Sequence, residues 1–217
     1  PRTVRGYAPM TQNEIGCFLS HQAAWKKIIE TGKPAFIFED DIIFLDGIDS
    51  VINNIINLPN QPDFIKLGGI RKRYYLPIMS LSENKKLSLL LNCNSGSHAY
   101  FLSVSGAHTL LKATQIFSEA VDCFLDSFWF KQQKLFAVCP SPIALGPMAA
   151  LSTISAERFS LEQQVHSHKN TKCHIYRYTL KRIRSLKKIF LKTKIFNNWL
   201  SLTVFKKADF KSKINCS

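Results

Sequence analysis

Residues 35–44, AFIFEDDIIF, place three consecutive carboxylates between two apolar runs that are rich in aromatic and β-branched side chains. Such runs favour β-strand, and a buried strand rarely carries unpaired carboxylates, because burying each of them is costly. Two interpretations stay open from this pattern alone. Either the strand ends at Phe38 and the acids lie in a solvent-exposed turn, or Glu39, Asp40 and Asp41 form a cation site at the carboxyl end of a parallel strand.

The segment before this stretch predicts a helix that leads directly into the strand. Thr11 and Glu14 have the spacing of a capping box, so we expect a helix over residues 12–31 with Thr11 as its N-cap. Apolar residues recur at helical spacing along one face, and His21 lies on that face. Gly32 suits the position just after the helix. Helix, turn, strand and acids therefore form one αβ unit.

The chain after the acids continues to alternate between the two patterns. Residues 48–56 have an apolar stripe of helical period, and residues 63–67 read as a strand that ends in Gly68-Gly69. Further strands are expected within 95–103 and 135–139, and further helices within 105–114 and 122–131, whereas residues 76–94 are polar and poorly patterned. The alternation predicts an α/β fold with a mostly parallel sheet flanked by helices.

The charge is concentrated in the C-terminal part of the chain. Residues 1–168 contain 15 Lys and Arg against 14 Asp and Glu, whereas residues 169–217 contain 14 basic residues and one acid. Apolar residues share a broad face of this basic tail, which favours a helix lying on an anionic membrane surface. A flexible basic tail and non-specific binding to nucleic acid are the alternatives, and the near-neutral body makes a specific nucleic-acid-binding module the least favoured.

The cysteines and the hydropathy pattern indicate the compartment. The six cysteines are scattered and never form a Cys-x-x-Cys pair, which indicates reduced thiols in a cytoplasmic protein rather than a disulfide framework or a zinc site. No apolar run is long enough to predict a transmembrane helix.

Three segments together carry a family resemblance. EIGCFLSH at residues 14–21, followed by Trp25, precedes FEDD at residues 38–41. The third segment contains Gly96, Ala99, Tyr100, Ser103, Gly106, Ala107, Leu110 and Leu111. Over residues 6–155 the chain resembles glycosyltransferase family 25, the lipopolysaccharide and lipooligosaccharide biosynthesis transferases of Gram-negative bacteria. The family's later P-x-D element is matched by Asp122 without the proline, and its opening strand precedes the point where this chain begins, so an N-terminally incomplete domain is expected.

The resemblance implies a fold, a reaction and partners. It implies a GT-A-like (Rossmann-like) catalytic domain over residues 1–155. The linker and basic amphipathic tail expected over residues 156–217 are not part of the family motifs. It implies a metal-dependent transferase that moves a hexose, expected to be galactose from UDP-galactose with inversion, to a saccharide acceptor on lipooligosaccharide or lipopolysaccharide. The expected location is the bacterial cytoplasm, peripheral on the inner membrane. The alternative is a truncated, inactive family member that binds membrane or a partner through its basic tail.

The resemblance and carboxylate chemistry together suggest roles for individual residues. If the strand continues through the acids, Glu39 and Asp41 point to one side and hold Mn²⁺ or Mg²⁺, while Asp40 faces ribose or sugar hydroxyls. Asp122 is the candidate general base and Asp126 the alternative, unless both are helix N-terminal acids. His21 either orients an acid of the cluster or is a satisfied core residue. The expected donor-binding residues are Glu14, His21, Asp40, Gly96, His98 and Tyr100.

Overall fold

The structure is a computed structural model that describes residues 10–71 and 73–147. The chain divides into two units, Pro1–Gln164 and Val165–Ser217, and all described residues belong to the first. The predicted linker and tail at residues 156–217 lie outside the described residues. The domain boundary and the membrane-binding tail therefore stay predictions.

The described elements alternate between helix and strand, with two additional strand pairs. In chain order they are α1 (Gln12–Thr31), β1 (Ala35–Phe38), β2 (Ile42–Phe44), α2 (Ile48–Ile56), β3 (Phe64–Lys66), β4 (Tyr75–Ser80), β5 (Lys86–Leu90), β6 (Ala99–Leu102), α3 (Val104–Ala113), α4 (Val121–Lys131), β7 (Phe136–Cys139) and β8 (Ile143–Leu145). Among these residues, no helix is both long and apolar enough to cross a bilayer.

The predicted first αβ unit is confirmed. The side chain of Thr11 accepts a hydrogen bond from the Glu14 backbone at 3.0 Å, and the Glu14 carboxylate accepts one from the Thr11 backbone at 2.8 Å. Gly32 ends α1 in the left-handed region, with φ 63°. A residue without a Cβ adopts this conformation at little cost, so the chain reverses there and enters β1.

The α/β class with a helix-flanked sheet is confirmed and is consistent with a Rossmann-like fold, but the strand directions differ from a mostly parallel sheet. The six-stranded sheet has the order β1-β6-β3-β7-β5-β4. Within the described sheet only β3 and β7 pair in parallel, and the other four pairings are antiparallel. The reason is that β6 inserts between β1 and β3 in the opposite direction, and that β4 and β5 form a hairpin.

That hairpin occupies most of the segment which looked poorly patterned. β4 lies at the edge of the sheet, is largely exposed, and its pairing with β5 is irregular between Pro77 and Met79. An exposed edge strand interrupted by proline shows no alternation between apolar and polar residues. The second additional pair, β2 with β8, consists of three-residue strands.

The sheet separates two apolar layers. Tyr100 and Phe64 pack with residues of α1, α3 and α4 on one face, whereas their neighbours Phe101 and Ile65 pack with α2 on the other. This alternation is the two-residue period of a β-strand that is buried on both faces.

One edge of the sheet collects the polar segments. β1, β3 and β7 run in the same direction, so their carboxyl ends lie at the edge where the oppositely directed β6 begins. At this edge the Glu39 backbone N–H donates to the carbonyl oxygen of His98 at 2.9 Å. The fold thus brings the acids after β1 next to the loop that precedes β6.

Candidate functional site

The acidic segment leaves the strand at Phe38. Glu39, Asp40 and Asp41 lie between β1 and β2, with Asp40 and Asp41 in a turn. The chain therefore turns where strand alternation was assumed, and the expected division of these side chains by strand face does not apply. Asp40 is exposed, whereas Glu39 and Asp41 are half-buried. The turn after Phe38 is therefore confirmed, although Asp40 alone of the three acids is exposed, and the cation site stays a prediction.

A chain of hydrogen bonds runs from the core to Glu39. The indole N–H of Trp25 donates to the Tyr100 hydroxyl oxygen at 2.8 Å. The same oxygen lies 2.8 Å from His21 Nδ1, and His21 Nε2 lies 3.2 Å from Glu39 Oε1. Ser97 Oγ donates to the same carboxylate oxygen at 2.8 Å.

The direction of these bonds follows from the donors and acceptors present. Tyr100 already accepts from Trp25, so its own O–H is available to donate to Nδ1 of a neutral His21. The His21 proton then sits on Nε2, where it donates to Glu39. In the opposite tautomer a lone pair would face a carboxylate. Since burial also raises the pKa of Tyr100 well above its usual value, the phenol keeps the proton that this arrangement needs.

Glu39 is held in its ionised form. Burial raises the pKa of Glu39, but the hydrogen bonds from His21 and Ser97 favour the ionised form and oppose burial, so that the pKa lies below its usual value. Hydrogen bonds to the charged form of a carboxyl group favour that form. Glu39 therefore presents a fixed negative charge at neutral pH.

Two of the expected donor-binding residues, Tyr100 and Glu14, have structural roles in the described fold. Tyr100 is 1 % exposed, and its hydroxyl contacts His21 and Trp25, so it orients His21 and is not available for direct contact with a ligand. Glu14 is 5 % exposed, and its carboxylate caps α1. A capping acid fixes the start of the helix that carries His21.

The loop before β6 packs closely against the end of β3. A Cβ at Gly68 would lie 2.2 Å from His98 Nε2, and one at Gly69 would lie 1.8 Å from the Asn94 amide nitrogen. Gly96 has φ 83° and would bring a Cβ within 2.8 Å of His98 Cε1. Gly68 and Gly96 therefore leave room for the His98 ring at this edge of the sheet, and Gly69 leaves room for the Asn94 side chain. Burial lowers the pKa of His98, although the nearby carboxylates oppose this effect.

The two acids of α4 hold that loop in place. Asp126 Oδ2 accepts from the backbone N–H groups of Asn94 and Ser95 at 2.7 and 2.8 Å, and Asp126 Oδ1 contacts Lys66 Nζ. Lys66 also donates to the Ser95 carbonyl oxygen at 2.9 Å. Both side chains are almost fully buried, and burial lowers the pKa of Lys66 while the charge of Asp126 opposes that.

This geometry argues against Asp126 as a general base, because it is 2 % exposed and its carboxylate forms an ion pair with the buried Lys66. Asp122 is half-buried and accepts from the Gly96 backbone at 3.2 Å and from the Cys123 backbone at 2.7 Å. It lies beside the same loop, at the N-terminus of α4, and keeps some solvent access.

The acids at 39–41 offer oxygen ligands that fit a hard divalent cation. Asp41 Oδ1 is buried and has no hydrogen-bond partner among the described residues, which is costly for a carboxylate unless a ligand binds there. Both described hydrogen bonds of Glu39 end on Oε1, which leaves Oε2 for coordination. Oxygen donors of this kind suit Mn²⁺ or Mg²⁺.

The structure also adds residues that the sequence did not single out. Ser97 donates to Glu39, Lys66 pairs with Asp126, and Cys17 lies with His21 and Glu39 in a group whose donor atoms are all within 4.8 Å of one another. For Cys17 a signal was present, because it precedes His21 by one helical turn. Lys66 had no such signal in the sequence, because its partner Asp126 is 60 residues away.

Comparison with known proteins places these residues in a family. The sequence model described as glycosyltransferase family 25 (LPS biosynthesis protein) matches residues 3–125, more than half of the 217-residue chain. The match includes both Glu39 and Asp122.

Curated relatives have the same family background at low identity. Procollagen galactosyltransferase 1 of Danio rerio is 27% identical over 110 residues, which is 48% of this chain and 18% of the relative. Probable inactive glycosyltransferase 25 family member 3 of Rattus norvegicus is 29% identical over 107 residues, or 47% and 18%. Procollagen galactosyltransferase 1-A of Xenopus laevis is 28% identical over 156 residues, or 64% and 25%. The aligned segments thus span a quarter or less of these relatives, while the family match confirms the resemblance seen in the sequence: the chain belongs to glycosyltransferase family 25.

Proposed function

We propose that this chain transfers galactose from UDP-galactose to a saccharide acceptor on lipooligosaccharide or lipopolysaccharide. The observation that carries the proposal is the arrangement after β1. Glu39 is ionised and anchored by His21 and Ser97, and Asp41 presents a buried oxygen without a described partner. Family membership supports a sugar transferase, and these carboxylates lie where such a reaction needs charge.

The acids supply the electrostatic part of the reaction. When a sugar nucleotide donates its sugar, the nucleoside diphosphate leaves with growing negative charge, and a bound Mn²⁺ or Mg²⁺ would stabilise that charge. We assign Glu39 and Asp41 to hold the cation. His21 and Ser97 fix the orientation of Glu39, and Tyr100 fixes the orientation of His21. We assign the exposed Asp40 to ribose or sugar hydroxyl groups.

The donor pocket and the base lie on the neighbouring loop in this proposal. Gly96 and His98 border the end of β3, where the glycines leave space for a ligand-facing ring. Asp122, beside Gly96, takes the proton of the acceptor hydroxyl, since inversion at the sugar carbon requires a base on the acceptor side. Asp126 and Lys66 hold the loop that carries these residues.

The relatives and the family description support the choice of substrates. Two of the relatives are named procollagen galactosyltransferases, which supports galactose as the transferred sugar. The family description names LPS biosynthesis, which supports a lipid-linked saccharide acceptor. The basic residues at 169–217 would bring the enzyme to an anionic membrane from the cytoplasmic side, with about 1 kcal/mol for each Lys or Arg near the surface.

A second candidate is an inactive family member that binds membrane or a partner. The observation in its favour is that a relative of 29% identity is named probable inactive. Such a protein would keep the fold without binding a sugar nucleotide.

One pair of measurements tests the proposal and separates the two candidates. The full chain is incubated with Mn²⁺, deacylated lipooligosaccharide and UDP-galactose, with UDP-glucose as the matched donor control, and the product mass is measured. Calorimetry with UDP is run in parallel with and without Mn²⁺. Mn²⁺-dependent UDP binding and addition of one hexose from UDP-galactose support the transferase. Absence of both heat and product contradicts it and favours the inactive member.

A further inference from the structure

The donor atoms of Cys17, His21 and Glu39 form a compact group at the site. Cys17 and His21 are four positions apart in α1, so their side chains emerge from the same face one turn apart. Glu39 approaches from the end of β1. The three donor atoms all lie within 4.8 Å of one another, and His21 Nε2 and Glu39 Oε1 are 3.2 Å apart.

This set differs in chemistry from the oxygen pair of Glu39 and Asp41. It combines a thiol, an imidazole and a carboxylate, which is the donor combination that Zn²⁺ favours over Mn²⁺ or Mg²⁺. Zn–S and Zn–N bonds of about 2.3 and 2.0 Å place tetrahedral ligand atoms roughly 3.5 Å apart. His21 Nε2 and Glu39 Oε1, at 3.2 Å, are already within this spacing, and Cys17 Sγ lies within 4.8 Å of both.

The Tyr100 hydroxyl can serve either tautomer of His21, because a hydroxyl group both donates and accepts hydrogen bonds. A histidine that binds metal through Nε2 carries its proton on Nδ1 and donates it to a neighbouring acceptor. Tyr100 Oη lies 2.8 Å from that nitrogen, and its second lone pair accepts from Trp25. Ser97 likewise orients the Glu39 carboxylate.

We propose that Cys17 Sγ, His21 Nε2 and Glu39 Oε1 form a three-ligand site for a thiophilic divalent cation, with Zn²⁺ as the natural occupant and one coordination position open. On binding, the Cys17 thiol releases its proton to solvent, and the proton of the neutral His21 moves from Nε2 to Nδ1. The thiolate and the carboxylate then balance the two positive charges of the cation.

The thiol stays protonated until a cation arrives. Burial, followed by the charges of Glu39, Asp122 and Glu14, raises the pKa of Cys17 to about 11. A coordinated cation reverses this preference, because a thiol bound to a metal ion is deprotonated.

Glu39 belongs to both sets, so the two cations compete for one carboxylate. When a thiophilic cation binds Cys17 and His21, Glu39 is no longer available to hold a second cation together with Asp41. The proposal does not depend on transfer activity, since binding is measured directly.

Cobalt(II) is the probe, because it replaces Zn²⁺ and reports its ligands by absorbance. The reduced full chain is titrated with Co²⁺, and we expect a thiolate-to-cobalt charge-transfer band together with the visible bands of tetrahedral cobalt. Zn²⁺ added afterwards is expected to abolish both. Cys17→Ser is expected to lose the charge-transfer band, whereas Cys123→Ser, which changes an exposed cysteine of the same body, keeps it.

A second variant keeps the test decisive if Cys17→Ser alters folding. Glu39→Gln retains the thiol and is expected to weaken Co²⁺ binding at least tenfold while keeping the far-ultraviolet circular dichroism of the wild type. The proposal is overturned if no charge-transfer band forms in the wild type, or if the band survives in Cys17→Ser.

Discussion

His21 Nε2 lies 3.2 Å from Glu39 Oε1, and this contact joins the middle of α1 to the carboxyl end of β1. The other ring nitrogen of His21 contacts the buried Tyr100 hydroxyl, so the histidine cannot rotate without losing two polar contacts. The orientation of the site carboxylate is therefore set from inside the core.

Tyr100→Phe tests this relationship. The substitution leaves His21 Nδ1 and the Trp25 indole N–H without the hydroxyl, and an unsatisfied buried polar group costs about 1–3 kcal/mol. We expect the free energy of unfolding in urea to fall by that amount. Tyr75→Phe, at a 42 % exposed tyrosine, is the matched control and is expected to change little. Equal stability of the two variants would contradict the role assigned to the Tyr100 hydroxyl.

Asp126→Asn tests the anchoring of the loop before β6. The change leaves the charge of Lys66 buried without its partner, and breaking a buried ion pair costs about 3–5 kcal/mol. We expect a lower midpoint of urea unfolding and weaker UDP binding by calorimetry. Adding Lys66→Met to this variant removes the uncompensated charge and is expected to recover part of the stability. No recovery would show that the backbone contacts of Asp126, rather than the ion pair, dominate.

The pH dependence of stability tests the ionisation of Glu39. Its pKa is lowered in the folded state from a reference value of 4.5, so the contribution of Glu39 to stability is fully present above that pH. The contribution is lost as the pH falls through the lowered folded-state pKa. We expect the difference in unfolding free energy between wild type and Glu39→Gln to shrink progressively below about pH 4.5. A difference that grows on acidification would reverse the sign of the predicted pKa shift.

Gly96→Ala tests the close packing beside His98. A side chain at φ 83° is strained, and its Cβ would lie 2.8 Å from His98 Cε1. We expect a loss of roughly 1–3 kcal/mol in unfolding free energy and weaker UDP binding. Gly16→Ala is the control, because the space beside that helical glycine is open, and it is expected to stabilise the protein by about 0.5–1 kcal/mol. An unchanged UDP affinity in Gly96→Ala would contradict the assignment of this loop to the donor pocket.

The sequence predicted those parts of the fold that local interactions determine. The capping box at Thr11 and Glu14, the left-handed Gly32 and the end of β1 at Phe38 each depend on residues within one or two turns. The strand directions depend on the insertion of β6 between β1 and β3, and no local sequence pattern predicts that insertion. β4 has no alternating pattern because it is an exposed edge strand with irregular pairing and does not bury one face in the core.

In the candidate site, too, the sequence predicted some residues, whereas others became apparent only from the packing. Motif resemblance selected Glu39, His21 and Tyr100, which the structure brings into one hydrogen-bond chain. It did not separate Asp122 from Asp126, because the difference comes from Lys66, which is distant in sequence and buried in contact with one of them. Partners that are contributed by another strand are fixed by packing, and spacing along the chain does not reveal them.

The central claim is that the acids after β1 hold the cation and donor of a sugar transferase. Asp41→Asn tests it most directly, because it neutralises a carboxylate that has a buried oxygen with no described partner. Asp46→Asn, in the exposed turn before α2, is the matched control. Mn²⁺-dependent transfer from UDP-galactose is measured for both variants at equal thermal stability. We predict that Asp41→Asn lowers the rate by about 100-fold or more while Asp46→Asn retains it; wild-type transfer by Asp41→Asn would contradict the account.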